Sequence, residues 1–426
     1  MPISPSPSRR LIVRSERTTD GFLRNELAFG SLSVLTPVDR NDRRRRRRRA
    51  SRRRHLTRRL VALAILVGVG GGFAYGAHSL TGRRGTKAVA GTRVAKTKPP
   101  AASRGPRALP REMRGVHVTM ALASLHGKLD EYVALRRAGL NTIELDVKDE
   151  NGDVGFVRGA PQLARAIGSA KPYFNARSAA RTVHAAGLYL IGRIVTFQDP
   201  VLSERRPALA LHNPDGSVWH TGAGLGWLNP YDRRAWAYDV AVATAAARAG
   251  FDEIQFDYVR FPSDGDVSAI RYPVRTKGSM ATTITAFVRY ATTRLHKLDA
   301  RVSVDVFGLA ATRDLGIGQQ PHRLARYVDA VYPMVYPSHF NPGEYGLADP
   351  SAEPGQTVTD ALLYFEAALR GSDARLIPWL QDFSLGRTYT AADLRAQVDA
   401  ARSLETRGFL LWNPLGLYSA QALSGG

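Results

Sequence analysis

The sequence predicts a (β/α)8 barrel over residues 113–426, and three observations lead to this prediction. Eight short apolar runs alternate with longer, Ala-rich stretches whose apolar residues recur at helical spacing. Several of the helical stretches end in Gly one or two residues before the next apolar run, as helix-to-strand connections do. Regular alternation of strands and helices implies parallel pairing with right-handed crossovers, and eight such units suit a closed barrel.

The predicted strands are the apolar runs themselves, which lie at 114–120, 141–147, 188–195, 251–259, 301–309, 329–337, 375–383 and 408–414. An open, doubly wound sheet is the alternative architecture. That fold usually has a Gly-rich phosphate loop after its first strand. The segment "VTMALASLHG" after the first predicted strand is not such a loop, so the barrel is preferred.

The basic character of the chain belongs to its amino-terminal part. The net charge is +23, and residues 1–110 hold 26 Lys and Arg but only 5 Asp and Glu. Arg43 to Arg49 form an unbroken run, which predicts a solvated, unstructured tail over residues 1–59. Anionic lipid headgroups are the expected counter-ions. A nucleic-acid-binding arm is the alternative, but no nucleic-acid partner is expected because an apolar segment follows directly.

That apolar segment, Leu60 to Leu80, contains no Asp, Glu, Lys or Arg. It is close to the ~20 residues that cross a bilayer as a helix, and the excess of Arg before it predicts a cytoplasmic amino terminus. Residues 60–80 are therefore predicted to be a signal anchor, and residues 81–112 a linker rich in Pro, Ala, Gly and basic residues. The alternative is a twin-arginine export signal at Thr57–Leu60, cleaved near Ala77, which would give a secreted protein.

Polar residues at the carboxyl ends of barrel strands point into the mouth of the barrel, because side chains alternate between interior and helix layer. Asp257 ends the fourth strand, with Gln255 one layer below. The residues that this alternation also directs to the mouth are Asp146 and Lys148, Arg193, Asp305, Tyr332 and Tyr336, Gln381 or Asp382, and Trp412 with Asn413. Carboxylates, amides and aromatic rings around one mouth suit a polar, ring-shaped substrate.

Seven stretches carry a resemblance to a known family: "NTIELDVKDENGDVGF", "RIVTFQDP", "GFDEIQFDYVRFP", "SVDVFG", "YPMVYPSHF", "IPWLQDF" and "GFLLWNP". They resemble a bacterial family of glycoside-hydrolase-like barrels long catalogued as domains of unknown function. The similarity covers nearly all of residues 113–420. It implies an exported, carbohydrate-active barrel distantly similar to the α-amylase barrels, and it supplies no particular substrate.

Glycoside hydrolysis usually needs two carboxyl groups, one protonated and one ionised. Asp257 is the expected nucleophile or charge stabiliser, since α-amylase-like barrels carry an Asp at the end of strand four. Asp305, flanked by Val304 and Val306, is the expected general acid, and Asp146 competes for that role. Arg193 is expected either to orient Asp257 or to hold an acidic group of the substrate. For each of these residues, a purely structural ion pair or hydrogen bond is the alternative.

Further side chains are predicted to bind the substrate. Trp219 and Trp227 occupy a long segment after the third strand, which is expected to overhang the mouth and stack on sugar faces. The other predicted substrate-binding residues are Gln255, Lys148, Tyr336, His339, Trp379, Gln381 and Trp412. His117 and His339 lie at strand ends without a metal-binding motif around them, so neither a metal nor a cofactor is expected. The chain has no Cys, which excludes thiol catalysis and disulfides.

Together these observations predict a membrane-tethered glycoside hydrolase acting on an extracytoplasmic or cell-envelope polysaccharide. A non-catalytic, glycan-binding barrel that scaffolds the envelope is the alternative from another class. It would keep the aromatic residues and make no use of the acids.

Overall fold

The computed structural model describes residues 107–404 and 406–424. The predicted tail at 1–59, the predicted crossing segment at 60–80 and most of the predicted linker lie outside these described residues. Within the described ranges, no helix combines the length and the apolar character needed to span a bilayer.

The described residues form a closed barrel of parallel strands, which confirms the predicted fold class and excludes the open sheet. Hydrogen bonding runs in sequence order from the first strand to the sixth, and the last strand returns to pair with the first. The strands are β1 (Met113–Val118), β2 (Thr142–Lys148), β3 (Tyr189–Val195), β4 (Glu253–Asp257), β5 (Arg301–Phe307), β6 (Ala330–Val335), β7 (Arg375–Leu376), β8 (Trp379–Gln381) and β9 (Gly408–Trp412).

The seventh strand position of the barrel is occupied by two short strands, β7 and β8. Both pieces pair in parallel with β6, so they occupy one position in the barrel. Pro378 lies between them, and proline has no N–H to donate to a ladder. The eight predicted strands therefore correspond to the eight strand positions of the barrel, and the seventh predicted strand is interrupted at Pro378.

Helices lie between the strands, as predicted. They are α1 (Met120–Ser124), α2 (Lys128–Ala134), α3 (Gln162–Ile167), α4 (Ala176–Ala185), α5 (Pro200–Arg205), α6 (Arg233–Ala249), α7 (Met280–Leu295), α8 (Pro321–Leu324), α9 (Pro354–Leu369) and α10 (Ala391–Ser403). Short 3₁₀ turns cover 135–138, 207–209, 267–269, 296–298, 337–339, 344–346 and 420–423. Gly139 and Gly250 end the helical segments that precede β2 and β4 with φ of 107° and 109°, a left-handed conformation that favours glycine.

Two apolar layers hold the barrel together. The larger layer lies between strands and helices, where Ile254 and Phe256 of β4 are fully buried and Phe256 meets Phe287 of α7 edge-on at 5.3 Å. The smaller layer fills the barrel interior and includes Tyr189 and Tyr332. Their hydroxyls donate hydrogen bonds to the buried carboxylate of Glu253, at 3.1 and 3.0 Å. Tyr332 and Glu253 therefore belong to the barrel floor, and only the residues above them can meet a substrate.

The chain reaches β1 across the amino-terminal end of the barrel. Arg301 and Arg375, the first residues of β5 and β7, donate hydrogen bonds to the carbonyl oxygens of Arg107 and Pro110. Leu109 packs against the interior apolar layer. Residues 107–110 therefore close the base of the barrel, and the opposite, carboxyl-terminal end is the open mouth.

Candidate active site

Arg193 of β3 is the centre of an ion-pair network in the mouth. Its Nη1 donates to Asp146 Oδ1 at 2.8 Å, and its Nε and Nη2 both donate to Asp257 Oδ2, at 3.0 and 2.7 Å. Nη2 also donates to Glu150, in the loop after β2. The register pairs Asp146 with Arg193 and Arg193 with Gln255 across β2, β3 and β4. Arg193 thus orients Asp257, and its nitrogens are all occupied by the protein's own carboxylates.

Asp257 accepts a third hydrogen bond, from the backbone N–H of Tyr258 to Oδ1 at 2.6 Å. All three donors are N–H groups, and two belong to a guanidinium, so the site is built for the ionised carboxylate. The predicted alternatives for Asp257, an ion pair with Arg193 and a functional carboxylate, are therefore compatible. The ion pair holds the carboxylate in place at the end of β4.

His117 of β1 bridges two carboxylates of β2. Its Nδ1 bonds to Glu144, and its Nε2 lies 3.5 Å from Asp146 Oδ2. Burial alone would lower the pKa of His117, but the charges of Asp146 and Glu144 outweigh burial and raise it. The second oxygen of Glu144, Oε1, is buried and has no hydrogen-bond partner among the described residues. A chain of contacts therefore runs from Glu144 through His117, Asp146 and Arg193 to Asp257.

Asp305 of β5 lies in a different environment. Gln255 Nε2 and Trp379 Nε1 each donate to its Oδ1 at 2.7 Å, and Oδ2 accepts no hydrogen bond from any described residue. Burial, followed by the nearby charges of Asp257 and Glu144, holds the pKa of Asp305 well above its ordinary value. Asp305 is thus kept protonated, with one oxygen left for a partner outside the protein.

The two carboxyl groups consequently differ in protonation. Asp257 accepts two hydrogen bonds from the cation of Arg193, whereas Asp305 accepts hydrogen bonds only from neutral side chains, and burial keeps it as the acid. Asp146 also has a raised pKa, because burial outweighs the nearby charges of His117 and Arg193. Both oxygens of Asp146 already face protein cations, so Asp305 is the better placed proton donor.

Aromatic side chains form one wall of the mouth, on the side of β6, β8 and β9. Tyr336 stacks on Trp412 with ring centroids 5.2 Å apart and planes at 28°. Phe383 meets Trp412 edge-on at 5.0 Å, and His339 contacts both Tyr336 and Phe383. Trp412 and Phe383 are half-buried and His339 is exposed. The structure therefore brings predicted residues Tyr336, His339 and Trp412 together as a surface on which a sugar face can stack.

Three predicted substrate-binding residues act instead on other protein groups. Gln255 and Trp379 are buried and donate to Asp305. Gln381 accepts from the backbone N–H and hydroxyl of Ser338, at 3.1 and 2.9 Å, and donates to the carbonyl of Phe383. Gln255 and Trp379 thus position the acid, and Gln381 holds together the segments that follow β6 and β8.

The prediction that Lys148 faces the mouth is wrong. The pairing of β2 with β3 shifts register between Asp146 and Lys148, and this irregularity turns Lys148 to the helix side of the sheet. Its ammonium lies 2.8 Å from both Asp199 Oδ2 and Asp239 Oδ1, and all three side chains are fully buried. Although burial opposes its charge, the two carboxylates raise the pKa of Lys148.

Replacing Lys148 with Met should destabilise the barrel strongly, because two buried carboxylates would lose their cation. We expect a loss of about 3–5 kcal/mol in the free energy of unfolding, measured by thermal and urea denaturation. Lys171→Met is the matched control, since the Lys171 side chain is 44% exposed and its ammonium lies 3.9 Å from Asp153 Oδ1. The control should change the free energy by less than about 1 kcal/mol. Equal effects of the two substitutions would contradict the role of Lys148 as the cation that neutralises Asp199 and Asp239.

The prediction that Trp219 and Trp227 stack on sugars is also wrong, because both rings are buried in the protein core. The segment after β3 folds back on itself through short antiparallel bridges, including His212 with Val218 and Ala210 with Leu228. Trp219 Nε1 donates to the carbonyl of Asp266 at 2.9 Å. The bulky rings therefore stabilise this segment from within.

Sequence reasoning missed three residues of the site. Glu144 shares the inward parity of Asp146, two positions before it, and that parity could have identified it. Glu150 lies in the loop after β2, where no periodic signal exists. Phe383 ends the seventh predicted strand, and its place in the aromatic wall depends on Tyr336 and Trp412, which follow β6 and end β9.

A closed barrel with an ionised and a protonated carboxyl group beside an aromatic wall defines a glycoside-hydrolase-type barrel. Residues 115–418 match the profile of the family described as "putative glycosyl hydrolase domain". This is more than half of the chain, and the chain belongs to that family. The sequence resemblance is thereby confirmed. No group of three or more His, Asp and Glu side chains arranged to hold a metal is found within residues 107–404 and 406–424.

Two solved structures are similar to this chain. A hypothetical protein from Ruminiclostridium thermocellum is 34% identical, and the match covers 45% of this chain and 97% of that one, with a TM-score of 0.42. The glycoside hydrolase domain of PgaB (BpsB) from Bordetella bronchiseptica is 16% identical over 72% of this chain and 95% of its own, with a TM-score of 0.51. The second match supports the fold. No curated protein sequence matches the chain significantly.

Proposed function

We propose that the protein hydrolyses O-glycosidic bonds of an extracytoplasmic polysaccharide, with Asp305 as general acid and Asp257 as the carboxylate that meets the anomeric carbon. The observation that carries this proposal is the division between the two groups. One carboxyl group, Asp305, is kept protonated by burial and by the nearby charges of Asp257 and Glu144, and the other, Asp257, is paired with the guanidinium cation of Arg193. Hydrolysis of a glycoside needs that combination.

In the proposed reaction, a sugar stacks on the wall formed by Tyr336 and Trp412, with the scissile bond near Asp305 Oδ2. Asp305 donates its proton to the glycosidic oxygen as the C–O bond breaks, so the departing sugar leaves as an alcohol. Positive charge develops at the anomeric carbon, and the Asp257 carboxylate stabilises or attacks that carbon. Water completes the reaction by adding hydroxide to the carbon and returning a proton to Asp305.

A panel of envelope glycans, each incubated with the purified full-length chain, tests the proposal. Release of new reducing ends from at least one glycan is the expected result. If glycans bind without being shortened, and binding persists after Asp257→Asn and Asp305→Asn, the protein is a glycan-binding scaffold and the proposal is wrong.

The proposed location of the barrel is outside the cytoplasm, tethered by residues 60–80, with residues 1–59 inside and facing anionic lipid. The support is the arginine-rich tail next to an uncharged segment of membrane-spanning length. We expect protease added to intact spheroplasts to digest the barrel and to spare the tail, as detected with antibodies to each part. Digestion of the tail first would reverse the orientation. A mature amino terminus near His78 would show a cleaved signal and a secreted protein.

A further inference from the structure

Arg260 lies at the edge of the mouth, in the reversal that follows β4. The strand ends at Asp257, and Tyr258 then adopts a left-handed conformation with φ of 49°. The backbone N–H of Arg260 donates to the carbonyl of Tyr258 at 2.9 Å, which turns the chain back sharply. The guanidinium consequently lies 4.7 Å from the ring of Phe307, which ends β5 with the same inward parity as Asp305.

Three aromatic rings fix the plane of this guanidinium. Besides Phe307, the rings of Tyr258 and Trp227 lie 4.9 and 5.0 Å from its central carbon. Nη1 donates to the carbonyl of Phe261 and to Ser263 Oγ, both at 3.1 Å. The position of Arg260 is therefore set before any ligand binds, and the buried Trp227 has a role as part of this cage.

The charge of Arg260 has no counter-ion within the described residues. The side chain is 6% exposed, yet no described carboxylate forms an ion pair with it. Its Nε and Nη2 donate no hydrogen bond to any described residue. Asp257 and Asp264 favour its charge only at longer range, and burial lowers the pKa of Arg260. A buried cation without a partner is costly, and an anionic ligand at the free edge would remove that cost.

Arg193, the other arginine of the mouth, differs from Arg260 in having no free nitrogen. Every nitrogen of its guanidinium already donates to Asp146, Asp257 or Glu150. An acidic group of a substrate therefore finds no free donor at Arg193. At Arg260 the free Nε and Nη2 present the planar fork that matches a carboxylate or phosphate in two parallel hydrogen bonds.

We propose that Arg260 forms a subsite for an acidic substituent of the glycan, next to the bond that is cleaved. The inference rests on the proposed function, since it takes the glycan to lie across the mouth. It names the substrate class as an acidic polysaccharide, whose carboxylate or phosphate binds the free edge of Arg260. Elsewhere in the mouth such a group would face the carboxylate of Asp257, and Arg193 has no free donor to offer it, so Arg260 also fixes the register of the chain.

Equilibrium binding to the full-length protein tests the subsite without requiring turnover. The ligands are oligouronides of galacturonate, glucuronate and mannuronate, each compared with its carboxyl-reduced, neutral form. A second arm compares phosphorylated maltotriose with maltotriose and so separates phosphate from carboxylate. We expect at least one acidic ligand to bind about 10-fold or more tightly than its neutral counterpart, as for a desolvated, hydrogen-bonded charge pair.

The preference should depend on Arg260. Arg260→Gln should bring the acidic-to-neutral affinity ratio close to one, and Arg260→Lys, which keeps the charge but loses the fork, should give an intermediate ratio. Thermal denaturation of both variants checks their folding. Arg275→Gln is the matched control, because Arg275 is exposed and stacks on Tyr272 at 5.9 Å, and it should keep the preference.

The two proposals fail in different ways. An acidic preference that disappears in Arg260→Gln, together with no cleavage of any glycan, supports the subsite and removes the hydrolase proposal. No acidic preference in either arm, or a preference unchanged in Arg260→Gln, overturns the subsite. In that second case, cleavage of a neutral glycan would leave the hydrolase proposal intact.

Discussion

Asp305→Asn should lower turnover of a natural polysaccharide by about 10²- to 10⁴-fold, the usual contribution of a general acid. The amide keeps an oxygen that can accept from Gln255 and Trp379, but it has no proton to give to the glycosidic oxygen. An aryl glycoside of the same sugar, whose leaving group needs little protonation, should lose much less. Steady-state kinetics on both substrates measure the difference.

The dependence of turnover on pH provides a second test of the role of Asp305. The raised pKa of Asp305 means that the wild-type protein keeps its acid protonated as pH rises past the ordinary carboxyl range. Activity is then lost when pH rises through the raised pKa, because the ionised form cannot donate. Asp305→Asn should lack this falling limb.

Asp382→Asn is the matched control for Asp305→Asn. Asp382 also follows a barrel strand and has a pKa raised to about 6 by burial, but its carboxylate bonds to Ser419. Asp382→Asn should keep the wild-type turnover and should also keep the loss of activity at high pH. Equal loss in Asp305→Asn and Asp382→Asn would contradict the assignment of the acid.

Asp257→Asn should lower turnover by several orders of magnitude on natural and aryl substrates alike. A neutral amide can neither attack the anomeric carbon nor stabilise the positive charge that develops there. The leaving group has no influence on that deficit, which distinguishes this variant from Asp305→Asn. Kinetics with the same pair of substrates provide the comparison.

The stability of Asp257→Asn should change less than its activity. Arg193 keeps Asp146 and Glu150 as partners, so we expect a loss of about 1–3 kcal/mol, the cost of weakening one charged hydrogen-bond pair. Thermal midpoint and turnover are measured on one preparation. A large drop in midpoint with turnover within about tenfold of wild type, or about 1.4 kcal/mol, would make Asp257 a structural residue.

The sequence was sufficient for the barrel and for most of its inward-facing acids. Strand alternation has a period of two, so Asp257 and Asp305 could be placed in the mouth once their strands were recognised. Arg193 could be placed with them for the same reason. Alternation alone does not predict which side chains bond to each other. The hydrogen bonds from all the Arg193 nitrogens to Asp146, Asp257 and Glu150 are an example.

The errors arise where the chain departs from that period. The register shift at the end of β2 turns the side chain of Lys148 from the barrel interior to the helix side, and nothing in the local sequence indicates this shift. Trp219 donates to the carbonyl of Asp266, and the ring of Trp227 lies against Tyr258, so their burial depends on contacts that no local pattern records. The missing counter-ion of Arg260 could be recognised only from the position of its neighbours.

The central claim is that Asp305 and Asp257 together hydrolyse a glycosidic bond, and oxygen-18 incorporation tests it most directly. The full-length protein and the Asp257→Asn/Asp305→Asn double variant are each incubated with an envelope polysaccharide in oxygen-18 water, and the products are analysed by mass spectrometry. We predict shortened chains from the wild type that carry one oxygen-18 atom at each newly formed sugar terminus, and no shortened chains from the double variant. Products without oxygen-18, an unsaturated sugar at the new end, or equal cleavage by both proteins would contradict the claim.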